Sequence, residues 1–149
     1  MVATTMSGLE NVLAEELNKL GAQNINTLNR AVEFAGDLGF MYKANLNLRT
    51  AIRILKPIFE FRARNEKELY RKIYDYHWEQ YFGVDETFAI QSSGVSDVFS
   101  HSKYTSLKTK DAIADKFRDK FGKRPNVDIE SPNVQINVHV RGNIFVISL

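Results

Sequence analysis

The sequence predicts an α+β protein built of two compact units, and three observations carry that prediction. Hydrophobic periodicity switches repeatedly between the two-residue repeat of strands and the three-to-four-residue repeat of helices. Helix-start signals, a short polar side chain followed three residues on by glutamate, recur at Ser7-Gly8-Leu9-Glu10 and at Asn65 with Glu68. The chain closes on two strand-like runs joined by a short turn, Val134 to Val140 and Ile144 to Leu149. With 149 residues, 44% of them hydrophobic, it can bury a real core as one ordinary domain or two small packed ones.

Val2-Ala3-Thr4-Thr5 reads as a short strand. The capping-box spacing of Ser7 and Glu10 starts a helix whose Leu9, Val12, Leu13, Leu17 and Leu20 recur at helical steps, and Gly21 is placed to end it in a left-handed conformation. Ala31-Val32-Glu33-Phe34-Ala35 alternates as a strand, and Asp37 can cap a second helix through about Leu48. Ala51-Ile52-Arg53-Ile54-Leu55 followed by Pro57-Ile58-Phe59-Glu60-Phe61 reads as one long, kinked strand. Residues 1–62 thus read β-α-β-α-β, a near-complete ferredoxin-like unit.

The second unit, residues 63–149 with a start conceivable as early as residue 43, opens on a helix capped by Asn65 with Leu69, Ile73 and Tyr76 inward. Thr87-Phe88-Ala89-Ile90-Gln91 reads as a strand running into a loop over Ser92-Ser93-Gly94-Val95-Ser96-Asp97, and a long basic helix follows. In the closing pair Val134, Ile136, Val138 and Val140 alternate with Gln135, Asn137 and His139, and Arg141-Gly142-Asn143 forms the turn. Ile144 to Leu149 stops while its strand pattern is still running, so the chain is expected to be a fragment of a longer polypeptide.

Composition narrows the chemistry. The chain contains no cysteine, which removes disulfides, thiol nucleophiles and thiolate zinc sites and fits a cytoplasmic setting. No basic-then-apolar leader is visible and no segment approaches the roughly 20 apolar residues of a membrane helix. Glycines at 8, 21, 36, 39, 83, 94, 122 and 142 are too widely spaced for a dinucleotide loop or a P-loop. His77, His101 and His139 show no metal-ligand spacing, and no nucleophile–base constellation is evident. The chain is therefore read as non-catalytic, without a metal or cofactor of its own.

What remains is charge. Between His101 and Asp128 lie Lys103, Lys108, Lys110, Lys116, Arg118, Lys120, Lys123 and Arg124 against four aspartates, a local charge of about +4 on a chain of net charge +2. At 100° per residue the helix places Leu107, Ile113, Ala114, Phe117 and Phe121 on an apolar side, and most of its lysines fall on an ordinary solvated face. Lys103 and Lys110 project toward the apolar side near the helix start. There Ser102, Tyr104, Thr105 and Ser106 add hydroxyls where a helix N-terminus favours an anion, which together describe a phosphate cradle. A second basic cluster, Arg53, Lys56, Arg62, Arg64, Lys67, Arg71 and Lys72, reads either as a nucleic-acid patch or as outward positions of a strand and a helix. Tyr70, Tyr74, Tyr76, Trp78, Tyr81 and Phe82 could stack on bases, but aromatics at this spacing more often pack a core.

A family resemblance emerges from these residues. Ser102-Lys103-Tyr104, Leu107-Lys108-Thr109-Lys110-Asp111-Ala112-Ile113, Arg124-Pro125-Asn126-Val127-Asp128 and Val134-Gln135-Ile136-Asn137-Val138, in that order, resemble the THUMP domain of the 23S ribosomal RNA guanine-N2 methyltransferases, a family often labelled N6-adenine-specific DNA methylases. Ala3-Thr4-Thr5, Gly8-Leu9-Glu10, Leu20-Gly21-Ala22, Val32-Glu33-Phe34 and Leu48-Arg49-Thr50-Ala51-Ile52-Arg53-Ile54-Leu55 resemble the ferredoxin-like segment that precedes THUMP there. The resemblance implies a ferredoxin-like unit packed on an α/β THUMP domain. The implied function is RNA binding, holding structured RNA, 23S ribosomal RNA in particular, for a following methyltransferase domain that uses S-adenosylmethionine and an Asn-Pro-Pro-aromatic loop. No Asn-Pro-Pro run occurs here, so catalysis would belong to a domain outside this chain. RNA contact carries over to Lys103, Tyr104, Lys108, Lys110, Arg124 and Asn126. The alternative is a structural or protein-interaction domain without direct RNA contact.

Overall fold

The computed structural model describes residues 1–97, 99 and 101–149 and divides into two units, Met1–Pro57 and Ile58–Leu149. In the first, β1 (Val2–Thr4), α1 (Glu10–Leu20), β2 (Gln23–Leu28), β3 (Ala31–Ala35), α2 (Leu38–Asn47) and β4 (Arg53–Leu55) follow one another, and the sheet runs β2-β3-β1-β4. This is the βαββαβ order of a ferredoxin-like fold, with β1 antiparallel to both β3 and β4. β2 has no counterpart in the sequence reading. Gln23–Leu28 is a polar edge strand with almost every side chain exposed, Asn24 sits at φ 51, and the register with β3 shifts between Gln23 and Asn26. An edge strand whose single partly buried side chain is Ile25 has almost no alternation to read.

α1 also starts differently from the capping-box expectation. Its N-cap is Leu9, with no side-chain cap among the described residues, and the Glu10 carboxylate instead accepts from the N–H groups of Gly8 (2.7 Å) and Arg30 (3.0 Å). The glutamate thus ties the helix start to the β2–β3 turn. The helix end is as expected: Gly21, at φ 96, returns its N–H to Asn18. Asp37 caps α2 by accepting from the Phe40 N–H at 2.7 Å. Ala3, Leu13, Leu17, Val32 and Phe34 form the core, with Phe40 edge-on to Phe34 at 5.8 Å between ring centroids. Leu9 and Val12, expected inward, are exposed.

The predicted single strand over 51–61 is two strands in two sheets. Pro57 supplies no N–H, so a continuous ladder is interrupted there; β4 pairs with β1, while β5 (Pro57–Arg62) forms the edge of the second sheet. That sheet runs β5-β8-β7-β6, with β6 (Phe88–Ser96) parallel to β7 (Val134–Gly142), and β7 antiparallel to β8 (Ile144–Ser148). α3 (Glu66–Asp75) and α4 (Ser102–Phe121) pack against this sheet. Leu69 and Ile73 of α3 and Ala112, Ile113 and Phe117 of α4 pack with Ile136, Val138, Val140, Phe145 and Ile147. Trp78, in a 3-10 turn after α3, is fully buried and donates from Nε1 to the Ile73 carbonyl at 2.7 Å.

The serine-rich stretch read as a loop continues β6 instead. Register with β7 holds from Phe88 opposite Val134 to Ser96 opposite Gly142. Gly94 makes this possible: at φ 92, a Cβ there would overlap the Val140 carbonyl oxygen and lie 2.9 Å from its carbon.

Candidate nucleic-acid interface

α4 is a 20-residue helix, and it is rotated from its predicted orientation. Its buried face is Thr105, Thr109, Ala112, Ile113, Ala114 and Phe117, while Leu107 and Phe121 remain 46% and 49% exposed. Two threonines therefore take the inward positions that the apolar pattern assigned to leucine and phenylalanine. Their Oγ1 atoms are buried with no hydrogen-bond partner among the described residues. Thr105 consequently drops out of the phosphate cradle. Ser106 is half-buried, its hydroxyl 2.6 Å from that of Ser92, and Ser92 also bonds the Ser102 carbonyl, so these serines tie β6 to the start of α4.

The expected RNA-contact residues are spread along α4 and just beyond its end. At its start, Tyr104 and Lys108 lie one turn apart and converge on Glu66, the first residue of α3. The tyrosine hydroxyl donates to Oε2 at 2.8 Å and the lysine ammonium pairs with Oε1. Lys108, then Tyr104, hold the Glu66 carboxyl below the ordinary range, and Glu66 in turn raises both partners. Lys110 pairs with its neighbour Asp111 at 2.8 Å. Lys103 is exposed and has no ion-pair partner among the described residues.

At the other end Arg124 bonds Asp115 at 2.7 Å. Asp115 also receives Arg118 (3.0 Å) and the Tyr70 hydroxyl (2.7 Å). Asn126 presents an exposed side chain while its carbonyl accepts the Phe88 N–H at 3.0 Å, holding the Pro125–Val127 segment against β6. The run from Tyr104 to the helix end at Phe121 spans roughly 25 Å at 1.5 Å per residue. Lys110 lies between, and the Arg124 guanidinium reaches back to Asp115, five residues on from Lys110, so the six expected residues are strung along the helix rather than gathered at one point.

The aromatic stretch resolves into packing. Trp78 and Phe82 are buried, Tyr76 stacks on Phe59 at 4.5 Å, and Tyr70 stacks on Tyr74 at 6.0 Å. The Tyr74 hydroxyl is committed to Asp119 at 2.9 Å. Burial, with Asp115 beside it, pushes Tyr70 up to about 12. Glu79 lies between Lys120 and His77, and the hydrogen bond from Lys120 holds its carboxyl at about 2. What the sequence reading missed is this set of carboxylates, Glu66, Asp115, Asp119 and Glu79. Only Asp115 and Asp119 carried a signal, as i, i+4 neighbours on α4 itself.

No group of three or more His, Asp or Glu side chains placed to hold a metal ion occurs among the described residues. No described helix is long and apolar enough to cross a membrane. Two hollows in the second unit are lined mostly by charged side chains.

Comparison with known proteins agrees with this architecture. The THUMP domain model matches residues 63–149 and the RlmL ferredoxin-like domain model matches residues 1–55. A Synechocystis protein named "Putative RNA methyltransferase slr0064" is 37% identical over 147 residues, covering 99% of this chain and 38% of that protein. A solved structure from Listeria monocytogenes, described as "a predicted N6-adenine-specific DNA methylase", superposes with a TM-score of 0.78 at 27% identity, over 99% of this chain and 38% of that one. SMU.472, "a putative methyltransferase complexed with SAH", gives 0.75 at 28% identity, over 99% and 40%. The chain thus spans about 38% of the length of the curated Synechocystis relative. It belongs to the THUMP domain family, with an RlmL ferredoxin-like domain preceding the THUMP domain.

Proposed function

We propose that this chain is the RNA-binding portion of an S-adenosylmethionine-dependent ribosomal RNA methyltransferase. It holds structured RNA, 23S ribosomal RNA in particular, for a methyltransferase domain outside the chain that modifies guanine N2 in the cytoplasm. The observation that carries this reading is the succession of an RlmL ferredoxin-like domain and a THUMP domain over nearly the whole chain, beside a relative named as a putative RNA methyltransferase. The division at 62/63 and the contact residues Lys103, Tyr104, Lys108, Lys110, Arg124 and Asn126 belong to this proposal. RNA would be met through backbone and shape rather than base sequence.

One observation favours a second reading, a structural or protein-interaction domain. Tyr104, Lys108, Lys110 and Arg124 are each already bonded to a carboxylate, so an RNA phosphate must displace or share Glu66, Asp111 and Asp115. The deciding experiment titrates structured RNA with the chain and with its Lys108→Ala, Lys110→Ala, Arg124→Ala triple variant. The RNA-binding reading expects salt-sensitive affinity that weakens in the variant. Affinity indifferent to salt and to these changes refutes the placement, and equally weak binding of any polyanion supports the second reading. Loss of an N2-methylguanine from 23S RNA when the full-length gene is deleted would test the reaction.

A further inference from the structure

The α3 side of the second unit presents a different electrostatic picture from α4. Arg62 ends β5, and the chain stays extended through Ala63, whose side chain is buried and whose N–H is fixed to the Asn143 carbonyl at 3.0 Å. Arg62 and Arg64 therefore point the same way, about 6–7 Å apart at the backbone, a separation of the same order as that between successive phosphates of a nucleic-acid strand. Opposite them lies the outer face of α3. Glu68, Arg71, Lys72 and Asp75 recur at steps of three and four, while Leu69 and Ile73 face the core. Together with Asn143 these side chains line a hollow of about 600 Å³ carrying four cations against two carboxylates, a net +2.

The carboxylates of this hollow are poor competitors for its cations. Glu68 accepts the Arg64 backbone N–H at 2.8 Å, an arrangement that fixes the start of α3 rather than neutralising a guanidinium. Arg71 meets Asp75 at 3.6 Å, with side chains 84% and 62% exposed respectively, a pair that solvent largely screens. Arg62, Arg64 and Lys72 have no ion-pair partner among the described residues. Guanidinium forks take phosphate oxygens in a bidentate manner, and two on one extended segment suit a phosphodiester strand.

We propose that the hollow between Arg62, Arg64 and the Arg71–Lys72 face of α3 seats backbone phosphates of the bound RNA, and that it supplies more of the ionic attraction than the paired cations of α4. The inference rests on the RNA-binding reading above. It is tested with the 149-residue chain and an RNA hairpin of about 16 base pairs, by titration between about 50 and 200 mM salt. Each of the double variants Arg62→Gln/Arg64→Gln and Arg71→Gln/Lys72→Gln is expected to lower the slope of log affinity against log salt by about 1.5. At about 0.1 M salt that is roughly thirty-fold weaker binding. The Lys108→Ala, Lys110→Ala, Arg124→Ala variant should lose less. Acetylation footprinting needs no variant: bound RNA should slow modification of Lys72 several-fold more than that of Lys19 in the first unit. Equal protection of the two lysines, or wild-type slopes in both double variants while the wild type binds, overturns this inference and leaves RNA binding standing. Failure of the wild type to bind any hairpin overturns the RNA-binding reading itself. Displacement of the hairpin by an equal concentration of polyglutamate overturns the assignment to RNA in favour of an acidic protein segment.

Discussion

Replacing Gly94 by alanine tests how the second sheet is built. At φ 92 an L-residue costs about 1–2 kcal/mol in backbone strain alone. The added Cβ would also overlap the Val140 carbonyl oxygen, 2.9 Å from its carbon and 3.1 Å from its nitrogen. These are backbone atoms of the central strand β7, so no side chain can rotate away. Relief requires β6 to leave β7 from Gly94 onward, releasing the register pairs Gly94–Val140, Val95–Arg141 and Ser96–Gly142. At about 1 kcal/mol for each of two or three ladder hydrogen bonds, the total comes to about 4 kcal/mol. Gly122 is the control: its φ is 71, but a Cβ there meets nothing within 4 Å, so Gly122→Ala should cost about 1–2 kcal/mol. The single tryptophan, Trp78, is buried in this unit, so its fluorescence during urea unfolding reports on the right half of the chain. Equal losses in the two variants would refute the close parallel pairing of β6 with β7.

Two further predictions concern one buried and one partly buried polar group. Thr109→Val replaces a buried, unpartnered hydroxyl by a methyl of similar shape and should leave the second unit as stable or about 1 kcal/mol more stable by the same urea assay; a loss above about 2 kcal/mol would mean that the hydroxyl has a partner. Glu16 accepts the Arg49 and Thr50 N–H groups, both at 3.2 Å, and the Thr50 hydroxyl at 2.8 Å. Burial opposes ionisation there, yet the hydrogen bonds from Thr50 and Arg49 prevail and hold its carboxyl below the ordinary 4.5. Because the folded value is the lower one, the stabilisation is complete above about pH 4.5 and is lost as pH falls through the folded value. Glu16→Gln should flatten this acid-side decline in hydrogen-exchange protection of the first unit, and an unchanged decline would reject the assignment.

The elements that were legible in the sequence are those whose signals are local. Gly21 ends α1 in the left-handed region, Asp37 and Asn65 cap α2 and α3 through N–H groups three residues on, and the alternation from Val134 to Val140 places Ile136 and Val138 in the core. The unreadable elements depend on distant partners. β2 is placed by pairing with β3 and by Ile25 alone against the core, and the second half of β6 looks like a loop until β7 lies beside it. The single-strand reading of 51–61 failed because alternation says nothing about which sheet a strand joins. On α4, burial of Thr105 and Thr109 instead of Leu107 turned the helix away from the face that its apolar residues suggested. The candidate interface has the same limitation. Its basic residues are visible as composition, but the pairing of Lys108 with Glu66 joins positions 42 apart, and no periodicity within one element foreshadows it.

The central claim, that this chain holds structured RNA by its phosphate backbone, is tested most directly by the affinity of the unmodified chain for an RNA hairpin of about 16 base pairs across about 50 to 200 mM salt. A log–log slope of about −3 or steeper, corresponding to about four neutralised phosphates, is the result predicted. Binding whose affinity does not change with salt, or no binding even at the lowest salt, would contradict it.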